Sequence, residues 1–79
     1  MWSKPDEWTY EAIKGRALKY EDQTGYLRFA ADELEKRIRD YETRRRSLGT
    51  SREDQLLASK LDVMIRRDRE LLRRIEGEL

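Results

Sequence analysis

The side chains able to do chemistry are nearly all carboxylates, ammoniums and guanidiniums: 17 Asp and Glu against 18 Lys and Arg in 79 residues, with no His and no Cys. Without imidazole or thiol, a Ser–His or Cys–His nucleophile pair, a zinc finger and a disulfide framework are all excluded. The glycines Gly15, Gly25, Gly49 and Gly77 stand singly, so no Gly-rich phosphate loop is written in the sequence. A carboxylate cage for two metals would need inward Glu with His three residues on, a pattern that is missing. No cofactor and no metal site is expected.

Three groups of residues remain as candidates. Arg44, Arg45 and Arg46 form a run of cations. Asp62 falls on the exposed side of a helical pattern, four residues before Arg66. Trp2, Trp8 and Tyr10 concentrate aromatic surface near the start of the chain, and Trp and Tyr are enriched at binding hot spots. Charge narrows the partner class. The net charge is +1, with residues 1–25 at −1, 26–49 at +2 and 50–79 at zero. Opposite charges at helical spacing read as ion pairs on a solvated surface. Nucleic acid is disfavoured: only the Arg44–Arg46 run suits a phosphate backbone, and no recognition-helix motif accompanies it.

The elements that must position these groups are helices. Helix formers dominate and the only proline is Pro5. Ser3, Pro5, Asp6 and Glu7 suit a helix start. Gly49 suits a left-handed residue after a helix end, and Ser51 with Asp54 three residues on suits an N-cap and capping box. Stepping by 4 and 3 from Ile13 gives a seam through Ala17, Tyr20, Thr24, Leu27, Ala31, Leu34, Ile38, Tyr41, Arg45 and Leu48. A wider stripe follows at Leu57, Leu61, Met64-Ile65, Asp68, Leu71-Leu72, Ile75 and Leu79. Folded at Gly49, the seams meet antiparallel, with Ile38 near Leu61, Leu34 near Met64 and Ile65, Leu27 near Leu71 and Leu72, Arg45 near Asp54 and Tyr20 opposite Leu79.

The expectation is thus one small all-α domain spanning residues 1–79, an antiparallel hairpin of helices at about 25–47 and 51–78. An N-terminal helix at about 5–21 either folds back after a break near Gly25 or continues into the second helix. In the second case its overhang would be buried against a second copy or a partner. Unbroken seam phase through Thr24 favours the long helix, whereas Gly25 and the wide C-terminal stripe favour three helices, with Trp8 in their core.

Residues 34–68 resemble the small sporulation-regulating aspartyl-phosphate phosphatases, the stage-zero sporulation E-like family of helical hairpins. The likeness rests on Leu34-Glu35-Lys36-Arg37-Ile38, the turn at Gly49-Thr50, and Ala58-Ser59-Lys60-Leu61-Asp62-Val63-Met64-Ile65. Leu61, Asp62 and Ile65 match the family pattern, whereas Ala58, Ser59 and Lys60 stand where it has Ser, Gln and Glu. The resemblance implies that Asp62 would enter a phosphorylated response regulator and position water against the acyl phosphate, the partner supplying the metal.

The reading carried forward is a small non-enzymatic helical module that docks on a protein partner as a regulator or inhibitor, with a homodimer as one option. Its candidate contacts are Trp2, Trp8, Tyr10, Arg44, Arg45 and Arg46. The phosphatase led by Asp62 is the alternative, and weak nucleic-acid contact through the Arg run a third. No apolar run reaches the ~20 residues needed to span a membrane, no signal-peptide core follows Met1, and a cytoplasmic location is expected.

Overall fold

A computed structural model describes residues 2–79. They form three α-helices, α1 (Tyr10–Ala17), α2 (Gln23–Arg46) and α3 (Arg52–Glu76), with no strand among the described residues. The protein is all-α, an antiparallel α2–α3 hairpin with α1 folded back on one end of it. No helix of the structure is long and apolar enough to cross a membrane.

The first helix is shorter than the sequence predicts, and it starts later. Residues 2–9 are not helical, and Thr9, in extended conformation, is the cap: its Oγ1 accepts the Ala12 N–H at 3.2 Å. The lead-in is drawn off the helix path by α2. The Tyr26 hydroxyl donates to the Ser3 carbonyl oxygen at 2.9 Å, Trp2 tilts against Phe29 at 6.0 Å between ring centres, and Pro5 is buried.

The break lies between Ala17 and Asp22, not at Gly25. Asp22 caps α2, its Oδ1 accepting the Gly25 N–H at 2.8 Å, so Gly25 sits inside the first turn. A Cβ there would overlap the Asp22 carboxylate and lie 2.8 Å from the Trp2 ring. A side chain at this position would have to displace the Asp22 and Trp2 side chains, a constraint of close approach rather than of backbone conformation, since no glycine has a positive φ.

At the hairpin end, Gly49 is likewise not left-handed, and α2 closes on Ser47, whose N–H reaches the Thr43 and Arg44 carbonyls at 3.2 Å. Ser51 caps α3 as expected, accepting the Asp54 N–H at 3.1 Å. The Asp54 carboxylate turns further back and accepts the Gly49 N–H at 2.9 Å. Arg45 therefore does not meet Asp54; its Nε donates to Asp62 Oδ1 at 3.1 Å. Eight residues separate those two aspartates, about 12 Å of helix. The register of the hairpin is displaced accordingly: Ile38 shares a shallow depression with Arg69 and Leu72 instead of lying opposite Leu61. The connection at residues 47–51 is non-helical and does not fold back at a single glycine.

The main core lies where three helices meet. Ile13 and Ala17 of α1 pack with Tyr26, Leu27, Ala30, Ala31 and Leu34 of α2, and with Leu71 and Ile75 of α3. The predicted seam holds except at Thr24 and Arg45, which are exposed, and it omits Tyr26 and Ala30, both fully buried. Tyr26 and Ala30 each stand one residue before a seam position, so the buried face of α2 is wider than the seam where α1 and α3 both pack on it. Tyr20 does not close the hairpin opposite Leu79 but stacks on Tyr26 at 5.1 Å, and Leu79 is exposed. We call the three-helix end the head and the remainder of the hairpin, residues 39–67, the arm.

Candidate docking interface

Head and arm join at Arg37 and Asp68. Asp68 occupies a seam position of α3 and is buried, with 6% of its side chain exposed. A buried carboxylate needs a charged partner, and Arg37 Nε supplies one at 2.8 Å. The Arg37 guanidinium also lies 5.3 Å from the ring centres of both Trp8 and Tyr41. Trp8 arrives from the lead-in to α1 and Tyr41 from α2, so one cation ties three chain segments together. Beside it is an open cleft of about 270 Å³ lined by Glu7, Trp8, Thr9, Arg37, Met64, Arg67 and Asp68. Sequence reading placed Asp68 in the seam without finding Arg37; the displaced register hid the pair.

Those contacts define one side of the hairpin. Along α3 the 3.6-residue repeat puts Leu56, Leu57, Lys60, Val63, Met64 and Arg67 on a common stripe. At its lower end the stripe is covered, because Trp8 lines a cleft with Met64 and Arg67, and Tyr10 lies under Arg74 at 3.8 Å. Further out it is bare. Leu56 is 61% exposed, Leu57 46% and Val63 51%. The eight residues of α1 end the cover at the head, and α3 continues past it.

The opposite side of the hairpin is closed by charge. Arg69 pairs with Glu42, Arg45 with Asp62, and Arg73 with Glu70 at 3.7 Å. Such exposed pairs contribute ~0–1 kcal/mol each; the first two cross from α2 to α3 and fix register, and the third lies within α3 and occupies the surface.

The predicted contact residues separate into two groups. Trp2 (36% exposed), Trp8 and Tyr10 lie at the head, each laid against other residues: Trp2 against Phe29, Trp8 against Arg37, Tyr10 against Arg74. Arg44, Arg45 and Arg46 lie at the far end of α2. Arg44 pairs with Asp40 at 3.1 Å and Arg45 with Asp62, while Arg46 is exposed with no carboxylate within 4.0 Å among the described residues. Asp62 is on the ion-paired side, about half-exposed, with Arg45 on its carboxylate. No group of three or more Asp or Glu side chains converges closely enough to hold a metal among the described residues.

A second polar knot ties α1 to the end of α3. Glu78 accepts from the Lys14 ammonium and from the Tyr10 hydroxyl. The bond from Lys14, then that from Tyr10, holds the Glu78 carboxyl below the ordinary carboxylate range. The same carboxylate raises the Lys14 ammonium and the Tyr10 hydroxyl. At the other end of α1, the Ser3 hydroxyl and N–H against Tyr20 Oη lower that phenol, while burial raises Tyr26.

Comparison with known protein families, with curated proteins and with solved structures returns no match. The likeness of residues 34–68 to the sporulation phosphatases rests on the quoted residues alone.

Proposed function

We propose that this protein is a docking module that binds a partner protein along the bare side of its arm, and regulates that partner by occupying it. The observation that carries this reading is the position of Leu56, Leu57 and Val63, exposed on the stripe that the chain itself covers lower down. Burying a Leu or Val side chain contributes about 1.5–3 kcal/mol, so three on one stripe, adjoining half-buried Met64 and Tyr41, can support a helical contact. In this reading the head is a brace: it fixes the hairpin by one short helix and leaves the arm free to engage.

Capture from a cell extract tests it. Immobilised full-length chain should retain a protein that is lost with the Leu57→Asp/Val63→Asp variant at unchanged helicity and melting temperature. Retention unaffected by that variant, but lost with Trp2→Ala, would move the contact to the N-terminal aromatics and contradict the arm.

A further inference from the structure

The arm is more basic than the rest of the molecule, and its charges are unevenly satisfied. Residues 39–67 contain eight cations and five carboxylates, a net charge of +3, while the rest of the chain contains ten and twelve, a net charge of −2. Among the described residues, Arg39, Arg46, Arg52, Lys60, Arg66 and Arg67 have no carboxylate within 4.0 Å. Of the five carboxylates, Asp40, Glu42 and Asp62 are paired, and Asp54 is engaged by the Gly49 N–H. Two of the unpaired cations, Lys60 and Arg67, alternate with Leu56, Leu57, Val63 and Met64 on the bare stripe, and the exposed Glu53, one turn before Leu57, is the carboxylate at its outer end.

We infer that the occupant of this stripe is an acidic amphipathic helix of a partner protein, seated beyond α1 as the missing third helix of the arm. The inference rests on the docking reading above and adds the chemistry of the partner. An apolar ridge would lie on Leu57, Met64 and Tyr41, and carboxylates flanking it would meet Lys60 and Arg67. Three competing occupants fit less well. A second copy would bring one +3 arm against another. A nucleic acid would satisfy the cations but leave Leu56, Leu57 and Val63 in water. An anionic membrane surface would take both, but two cations and three exposed apolar side chains are few for holding a bilayer surface, and vesicles are a competitor in the test below.

The test uses two synthetic helical peptides of about three heptads, labelled with fluorescein, each with leucines at alternating three- and four-residue spacing. One carries Glu beside the leucines and the other Lys. The Glu peptide should bind the full chain at low salt. Affinity should fall about tenfold or more with Leu57→Ser, and by a similar factor with the double reversal Lys60→Glu/Arg67→Glu. The reversed variant should then prefer the Lys peptide. All three sites are exposed, so circular dichroism should show an unchanged fold. Equal binding of both peptides, with both lost on Leu57→Ser, overturns the acidic partner and leaves the docking reading standing. Binding of neither peptide overturns the inference, and if capture from extract is also independent of Leu57 and Val63 the docking reading falls with it. Displacement of the Glu peptide by duplex DNA or phosphatidylserine vesicles, or a Leu57-dependent dimer in sedimentation, assigns the stripe to a different occupant and overturns the inference equally.

Discussion

Arg37 shows what single residues do in this molecule. Its guanidinium neutralises the one buried carboxylate while lying against Trp8 and Tyr41. Asp68→Ala removes the acceptor and leaves that cation in a largely desolvated position. Because the Arg37 side chain is 31% exposed and can turn toward water, the cost should be about 2 kcal/mol, below that of a fully buried pair, measured by urea unfolding. Two glycines give opposite expectations. Gly15 has open space where a Cβ would go, so Gly15→Ala should stabilise by about 0.5–1 kcal/mol through helix propensity. Gly25→Ala would displace the Asp22 cap and the Trp2 ring, and should destabilise by about 0.5–1 kcal/mol despite the same propensity gain. A common sign for the two would contradict this account of Gly25. At this scale the sequence was readable where a residue's role is local, as with Ser51. It was not where a role depends on register: Asp68 stood visibly in the seam, but its partner did not.

Among the elements, α1 depends most on its polar ties, since eight residues are too few to hold a helix in isolation. The Glu78 knot therefore makes the head pH-sensitive. Glu78 titrates lower in the folded state than its ordinary 4.5, so its contribution is present above that value and is lost as pH falls through the lowered one. Lys14 titrates above its ordinary 10.5, so its contribution is full below 10.5 and is lost as pH rises through the raised value. Amide exchange in α1 and the last turn of α3 should therefore accelerate, relative to the rest of α3, as pH falls from 4.5 through the lowered value of Glu78, and Glu78→Gln should remove the difference. The helical class was legible in the spacing of apolar residues and the α2–α3 turn in the Ser47–Ser51 signal, but the number of helices was not, since the seam runs in phase through Thr24 as if one helix continued. The start of α1 was not, because Thr9 became the cap only once tertiary contacts to Tyr26 and Phe29 had drawn the Ser3–Pro5 lead-in away. Likewise Gly25 reads as a breaker in one dimension and is a contact site in three.

At the scale of the whole molecule the chain is elongated, 49 × 20 × 20 Å, with a radius of gyration of 14.6 Å against about 12 Å for a compact chain of this length. The elongation is the arm, which carries two helices where the head carries three. Its first turns of α3 should exchange amide protons well before Leu71 to Ile75, which lie in the three-helix core. Charge content of 44% gave no sign of this division, because net charge is nearly balanced over the whole chain. The imbalance between arm and head appears only once the helices are placed. The central claim is that the bare stripe on the arm receives a helix, and a titration of isotopically labelled chain with the Glu peptide, followed residue by residue by NMR, tests it most directly. Shifts confined to Tyr41 and to Leu56, Leu57, Lys60, Val63, Met64 and Arg67, with Ile13, Leu27 and Ile75 unmoved, are the predicted result; shifts centred on Asp62, Arg66, Arg69 and Arg73, or none at saturating peptide, would contradict it.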